Sequence, residues 1–238
     1  MFLWHLVGEF RLAPMLYYGQ AANLTKTPVF RPGEALQNQI QTAVEILKNG
    51  GIVAIPTDTL YGFAANALDE AAVERVFRLK RRSPSQALPL LLADADDIER
   101  WAVAIPDAVW PLAERFWPGP LTLVLRRSAA IPDVVCAGGD TVALRVPDHD
   151  VPRSIARSLG APLTGTSANR SGGPGVTSAS AVRDEFSGEI ELVIDGGSAL
   201  DGRPSTVLDL SSGQPRILRQ GAVGAADVAE LCGVPVAV

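Results

Sequence analysis

A single α/β domain, built on a twisted, mixed sheet with parallel and antiparallel strands and flanked by helices, is the fold class this sequence predicts. Three observations lead there. Short apolar runs alternate with amphipathic stretches over most of the chain, as expected for strands linked by helices. Several late strand-like runs follow one another with short connections, which favours a mixed sheet over a purely parallel one. The 238 residues, 47% hydrophobic and 20% charged, can bury one generous core, and no linker rich in Pro, Gly or Ser and no internal repeat divides them.

The elements can be justified in order. Residues 34–49 place Leu36, Ile40, Ala43, Val44 and Leu47 on one helical face, and Gly50-Gly51 supplies the stop. Residues 52–55 read as a buried strand and 56–62 as a polar loop. Asp69 can cap a helix whose Val73, Val76 and Phe77 face inward and which ends at Lys80-Arg81-Arg82. A strand at 88–92 precedes helical patterns at 96–103 and 107–117, and Pro118-Gly119-Pro120 forces a turn. Strands are expected at 121–125, 141–146 and 162–164, with a helix at 151–159 stopped by Gly160. A helix at 179–186, strands at 191–194, 206–210 and 216–218, and a short helix at 225–231 complete the pattern.

Composition excludes several classes. No apolar run approaches the roughly 18 residues that cross a bilayer. Residues 1–20 are apolar and aromatic, but no basic residue precedes the hydrophobic stretch and Glu9 and Arg11 interrupt it, so neither a secretory signal nor a membrane anchor is expected. A cytoplasmic location follows as an expectation. Met15 stands just before more ordinary sequence, and residues 1–33 are taken as a peripheral extension, 34–223 as the catalytic domain and 224–238 as a C-terminal helix and tail. Cys136 and Cys232 form no CxxC pair, and His5 and His149 have no neighbours at metal-ligand spacing, which argues against structural zinc and for free thiols. The net charge of −5 is not that of a general nucleic-acid binder. Any anion site must therefore be local.

Candidate sites cluster where polar segments follow regular elements. Residues 162–172 read Pro-Leu-Thr-Gly-Thr-Ser-Ala-Asn-Arg-Ser-Gly, setting small hydroxyls, an amide and two glycines behind an apolar run. That chemistry suits a loop wrapping an anion, and it equally suits an ordinary turn. Lys80-Arg81-Arg82 is the densest positive run, at a helix exit. Arg145 interrupts an apolar strand, where a cation is costly unless paired or exposed. Neither GxGxxG nor GxxxxGK[ST] occurs, so phosphates would be held by side-chain cations and loop amides.

Seven motifs in order carry a family resemblance: Pro56-Thr57-Asp58-Thr59-Leu60-Tyr61-Gly62, Lys80-x-Arg82, Pro118-Gly119-Pro120-Leu121-Thr122, Ala143-Leu144-Arg145-Val146-Pro147, Thr166-Ser167-Ala168-Asn169-x-Ser171-Gly172, Ser205-Thr206-Val207 and Leu218-Arg219-x-Gly221. Together they resemble the YrdC/Sua5 family over about residues 35–223, in its short form without the extra C-terminal domain. The resemblance implies a YrdC-like domain around a concave basic cavity. It also implies synthesis of threonylcarbamoyl-AMP and pyrophosphate from L-threonine, bicarbonate or CO2, and ATP. The product would pass to downstream tRNA threonylcarbamoyltransferase proteins for t6A modification at tRNA position 37, with weak direct tRNA binding a further expectation.

Carried over residue by residue, Lys80 and Arg82 are the catalytic cations. Arg82, Gln86, Thr141, Gly165, Ser167, Gly175 and Arg219 would hold ATP, and Thr59, Leu91, Arg145 and Ser205 would hold L-threonine. Gly165 and Ser167 would face the nucleotide, while Asn169 and Gly172 shape the loop. Mg2+ would arrive with ATP, since no protein metal ligands are identified. Gln86-Ala87-Leu88 departs from the family pattern, which often has Lys or Asn followed by Pro-Leu, and Gln86 supplies no charge. The alternatives are an RNA-binding module of this fold and a carbamoyl-adenylate-forming relative.

Overall fold

The computed structural model describes residues 27–30, 36–198, 203–233 and 235–237. In chain order its elements begin with β1 (Val29–Phe30), α1 (Leu36–Lys48), β2 (Val53–Ile55), β3 (Gly62–Ala64), α2 (Glu70–Lys80) and β4 (Leu90–Leu91). A 3-10 turn (Ala95–Asp97) leads into α3 (Ile98–Trp101), β5 (Ala102–Val103), α4 (Val109–Phe116), β6 (Leu121–Arg127), β7 (Thr141–Arg145) and α5 (Asp150–Leu159). Then come β8 (Leu163–Thr164), β9 (Thr166–Ser167), α6 (Ala179–Phe186), β10 (Leu192–Ile194), β11 (Thr206–Asp209), β12 (Arg216–Arg219) and α7 (Ala225–Cys232).

Local chemistry sets the helix boundaries. Asp69 caps α2 by accepting from the Ala72 N–H at 3.1 Å, the expected N-cap role. The helix ends on Arg81 in the left-handed region (φ 52°), an uncommon conformation for a non-glycine residue. His149 caps α5, its Nδ1 accepting from the Val151 N–H, and Gly160 (φ 73°) closes that helix. In α1, Ile40, Ala43, Val44 and Leu47 are buried as the spacing predicts, whereas Leu36 begins the helix and stays exposed. The first two residues of that expected helix, 34 and 35, lie outside the described residues.

The mixed α/β pattern is realised as two sheets. One runs β1-β10-β2-β3-β9, and the other runs β12-β11-β6-β7-β4-β8 with β5 pairing on β6. Each combines parallel and antiparallel pairs. The larger hydrophobic core includes Phe63 and Phe186, packed edge to face with centroids 4.8 Å apart. A smaller core joins α1 and α5 through Ile40, Val44, Leu47, Val151 and Ile155 to Val53, Ile55, Leu163 and Leu192. Each large aliphatic side chain buried in this way contributes about 1.5–3 kcal/mol of transfer free energy.

Four strands depart from the sequence expectation. β3 emerges from the end of the loop read at 56–62, and pairs antiparallel with β2. β9 lies inside the loop read at 162–172. Residues 96–103 form a short helix and then β5, because Ala102 and Val103 pair with Arg127 and Arg126 at the end of β6. Within the extension read at 1–33, Val29 and Phe30 add an edge strand beside β10, and residues 1–26 lie outside the described residues. No helix among the described residues is long and apolar enough to cross a membrane.

Candidate functional site

The two sheets are joined by one residue. β8 pairs with β4 in the second sheet, β9 pairs with β3 in the first, and only Gly165 separates them. Its N–H donates to the Pro89 carbonyl at 2.7 Å. A Cβ at this position would lie 2.9 Å from Cγ and Cδ2 of Leu91, so close approach of the backbone requires glycine. Next to it, the buried Thr164 hydroxyl donates to Phe63 O at 2.9 Å and accepts from Ala65 N at 3.0 Å, bolting β8 to the opposite sheet.

A cavity of about 460 Å3 opens at this seam. Of the residues singled out from the sequence, Thr59, Arg82, Leu91, Thr141, Arg145, Gly165, Ser167, Ser205 and Arg219 line it. The fold thus gathers residues scattered over 160 positions of sequence, which local motifs alone do not place together. Lys80, Gln86 and Gly175 are not in its wall. Gln86 is exposed in the turn after α2, and Gly175 is exposed beside Leu60, where a Cβ would approach the Leu60 methyls to 2.8 Å.

Arg145 answers the question raised by a cation in an apolar strand. It is 7% exposed. Its Nη2 donates to both Asp58 carboxylate oxygens at 2.6 Å, Nη1 donates to Thr59 Oγ1 at 3.2 Å, and Nε donates to Gly119 O at 2.9 Å. Burial pushes the guanidinium pKa down and Asp58 opposes that shift. Asp58 lies within the 56–62 motif, where the sequence alone assigns it no role. The signal for it was available, since a buried arginine demands a carboxylate.

The other cations are differently served. Arg82, in the turn after Arg81, donates from Nη2 to Ala87 O at 2.8 Å, while its buried Nε has no hydrogen-bond partner among the described residues. Burial lowers its pKa. Arg219 donates to Ser205 O from Nε at 3.1 Å and from Nη2 at 2.9 Å, and Nη2 also reaches Ser205 Oγ at 3.0 Å. Ser205 Oγ lies 2.8 Å from Thr122 Oγ1, a hydroxyl that sequence reasoning did not assign. Burial, and then the neighbouring charge of Arg145, lower the Arg219 pKa.

Lys80 sits beneath the 165–173 loop and is 3% exposed. Its Nζ donates to the backbone carbonyls of Ser167 and Asn169, the latter at 2.7 Å. The Asn169 amide donates to Arg170 O and Gly173 O, both at 2.8 Å, and its Oδ1 accepts from the Ser167 hydroxyl. Asn169 and Gly172 (φ 82°) shape the loop, whereas Gly165 and Ser167 line the cavity. Burial, followed by the charge of Arg82, pushes the Lys80 pKa down to about 8.

This arrangement defines a class: a two-sheet α/β protein whose seam holds a preformed cleft lined by arginines and small hydroxyls. The family model Sua5_yciO_yrdC, described as "Telomere recombination", matches residues 45–221. The chain belongs to the Sua5/YciO/YrdC family. It is 42% identical over 195 residues to a threonylcarbamoyl-AMP synthase of Pyrococcus abyssi, covering 82% of this chain and 57% of that protein. A threonylcarbamoyl-AMP synthase of Chromohalobacter salexigens is 34% identical over 177 residues, covering 74% of this chain and 95% of the relative. Among solved structures, P. abyssi Sua5 complexed with L-threonine superposes with a TM-score of 0.81 at 39% identity, covering 89% of this chain and 62% of that one. E. coli YciO gives 0.75 at 25% identity, covering 84% and 98%. The chain spans little more than half the length of the P. abyssi and Bacillus subtilis relatives, 57% and 54%.

Proposed function

We propose that this chain is a threonylcarbamoyl-AMP synthase that consumes L-threonine, bicarbonate or CO2, and ATP. The observation that carries this reading is one cavity lined both by a carboxylate-paired arginine, Arg145, and by two arginines, Arg82 and Arg219, that among the described residues meet only uncharged oxygens. The names of the relatives and the threonine-bound neighbour support it.

In this reaction the threonine amine adds to CO2 to give a carbamate and a proton. A carbamate oxygen then attacks the α-phosphorus of ATP, the bond to the β-phosphate bridging oxygen breaks, and pyrophosphate leaves. Both nucleophiles belong to substrates, so no protein nucleophile is required. The protein aligns reactants and neutralises phosphate charge. Arg82 and Arg219 would face the phosphates, and the unpartnered Arg82 Nε is a donor suited to a phosphate oxygen. Thr141, Gly165 and Ser167 would complete the nucleotide wall, with Gln86 and Gly175 at its margin. Arg145, Thr59, Leu91 and Ser205 would receive L-threonine.

In this structure Lys80 would act from beneath the loop, by holding it. Among the described residues no group of three or more His, Cys, Asp or Glu side chains is placed to hold a metal ion. Mg2+ of this kind is held largely by phosphate oxygens and water, and it would enter on the triphosphate. The product would pass to tRNA-modifying partners in the cytoplasm.

The test is omission. Pyrophosphate release from ATP should require both threonine and bicarbonate, and ATP turnover that continues at the same rate without threonine overturns the assignment.

A further inference from the structure

The cations of the cavity are not equivalent. Arg145 is held by both oxygens of Asp58, whereas among the described residues no carboxylate lies within ion-pairing distance of Arg82 or Arg219. Asp58 is not part of the cavity wall, although Arg145 is. The cavity therefore meets one arginine whose charge is cancelled from outside and two whose charge is not. Arg219 is close enough to feel the Arg145 charge, so an uncancelled Arg145 would add a third cation to the same field.

We propose that Asp58 sorts the two kinds of ligand, keeping the Arg145 subsite selective for a zwitterionic amino acid and leaving polyphosphate to Arg82 and Arg219. The identities of the two ligands rest on the function proposed above. A zwitterion carries no net charge, so a carboxylate behind Arg145 costs it little while the donor edge of the arginine still faces it. A polyphosphate gains most from bare cations, and a carboxylate behind Arg145 disfavours it there. Without such sorting, the triphosphate or the released pyrophosphate would compete for the arginine meant for the amino acid. Asp58 contacts no ligand in this scheme; it sets which charge Arg145 presents.

The probe is inorganic pyrophosphate, titrated calorimetrically into the full chain. In the unaltered protein pyrophosphate should bind without excluding L-threonine. In Asp58→Asn it should bind about tenfold or more tightly, the scale of one charged hydrogen bond, and should become competitive with L-threonine. The double variant Asp58→Asn with Arg145→Gln removes both charges and should restore pyrophosphate affinity to within about twofold of the unaltered protein. A folded Asp58→Asn with unchanged pyrophosphate affinity overturns the proposal. If that variant does not fold, Arg145→Gln alone decides: Asp58 is then uncancelled, pyrophosphate should bind about tenfold more weakly, and no change overturns the proposal. Failure of the unaltered protein to bind L-threonine would defeat the functional assignment, while the pyrophosphate affinities would still decide the sorting.

Discussion

The Lys80 ammonium and the Asn169 backbone carbonyl are 2.7 Å apart, joined by a hydrogen bond that crosses from the end of α2 to the underside of the 165–173 loop. The same ammonium also holds the Ser167 carbonyl. A single buried cation thus grips both ends of the Ser167-Ala168-Asn169 segment, while Ser167 faces the cavity from its other side.

Replacing that cation should loosen the loop. Lys80→Met keeps the length and apolar bulk but leaves two inward carbonyls without their donor. The expected loss is about 2–4 kcal/mol, the scale of unsatisfied buried acceptors, read from urea denaturation midpoints. ATP affinity should fall in the same variant, since Ser167 and Gly165 are no longer presented in a fixed pose. A stability change below about 0.5 kcal/mol would show that Lys80 does not hold the loop.

The same residue gives a pH signature. Burial and the charge of Arg82 push Lys80 from its ordinary 10.5 down to about 8. Between those values the unfolded chain holds one proton more than the folded chain, so the contribution of Lys80 to stability rises with pH. Below about pH 8 both states are protonated and the folded protein bears the cost of a buried charge. ATP affinity should move the other way, weakening as pH rises through about 8 and the ammonium becomes an amine. Denaturation and binding curves from pH 7 to 10, with Lys80→Met as the flat control, test both directions.

Arg145→Ala should raise the threonine requirement far more than the ATP requirement. Removing one charged hydrogen-bonding group costs about 1.5–3 kcal/mol, or roughly ten- to a hundredfold in affinity. Steady-state kinetics with each substrate varied in turn distinguish the two. A larger effect on ATP would mean that the arginine serves the nucleotide.

Gly165→Ala should harm the cavity through a neighbour. The added methyl lies 2.9 Å from Leu91 Cγ and Cδ2 and 3.2 Å from Pro89 O, so Leu91 must move, and Leu91 is itself part of the cavity wall. Overpacking of this kind costs about 1–3 kcal/mol. Adding Leu91→Ala should recover part of the stability. Recovery of none would place the strain at the Pro89 carbonyl instead.

Most of the long elements were legible in the sequence because their signals are local. The α2 helix shows its Asp69 cap, its inward Val73, Val76 and Phe77, and its exit at the basic run. The mixed pairing was also legible, from the short late connections that become β11 and β12. What could not be read were β3 and β9, which fall in stretches read as polar loops; both are too short to display a two-residue period, and only their partners define them. For the same reason, the division into two sheets and its crossing point at Gly165 were invisible, although Gly165 itself was singled out.

The candidate site divides in the same way. Residue types marked Arg82, Arg145 and Arg219 as worth attention, but nothing local told a cavity-facing cation from a buried brace, so Lys80 was grouped with Arg82. The Asp58 pair spans 87 positions, beyond any helix or strand periodicity.

The one-residue step at Gly165 has a thermodynamic consequence for recognition. Since the Thr164 hydroxyl and amide bond Phe63 and Ala65 across the seam beside Gly165, the two walls cannot swing apart without breaking these buried bonds. The width of the cleft is settled when the chain folds. A ligand arriving later need not freeze backbone that is already frozen, so little of its binding free energy is lost to ordering the protein. Selectivity then falls to dimensions and charge that exist before any ligand arrives.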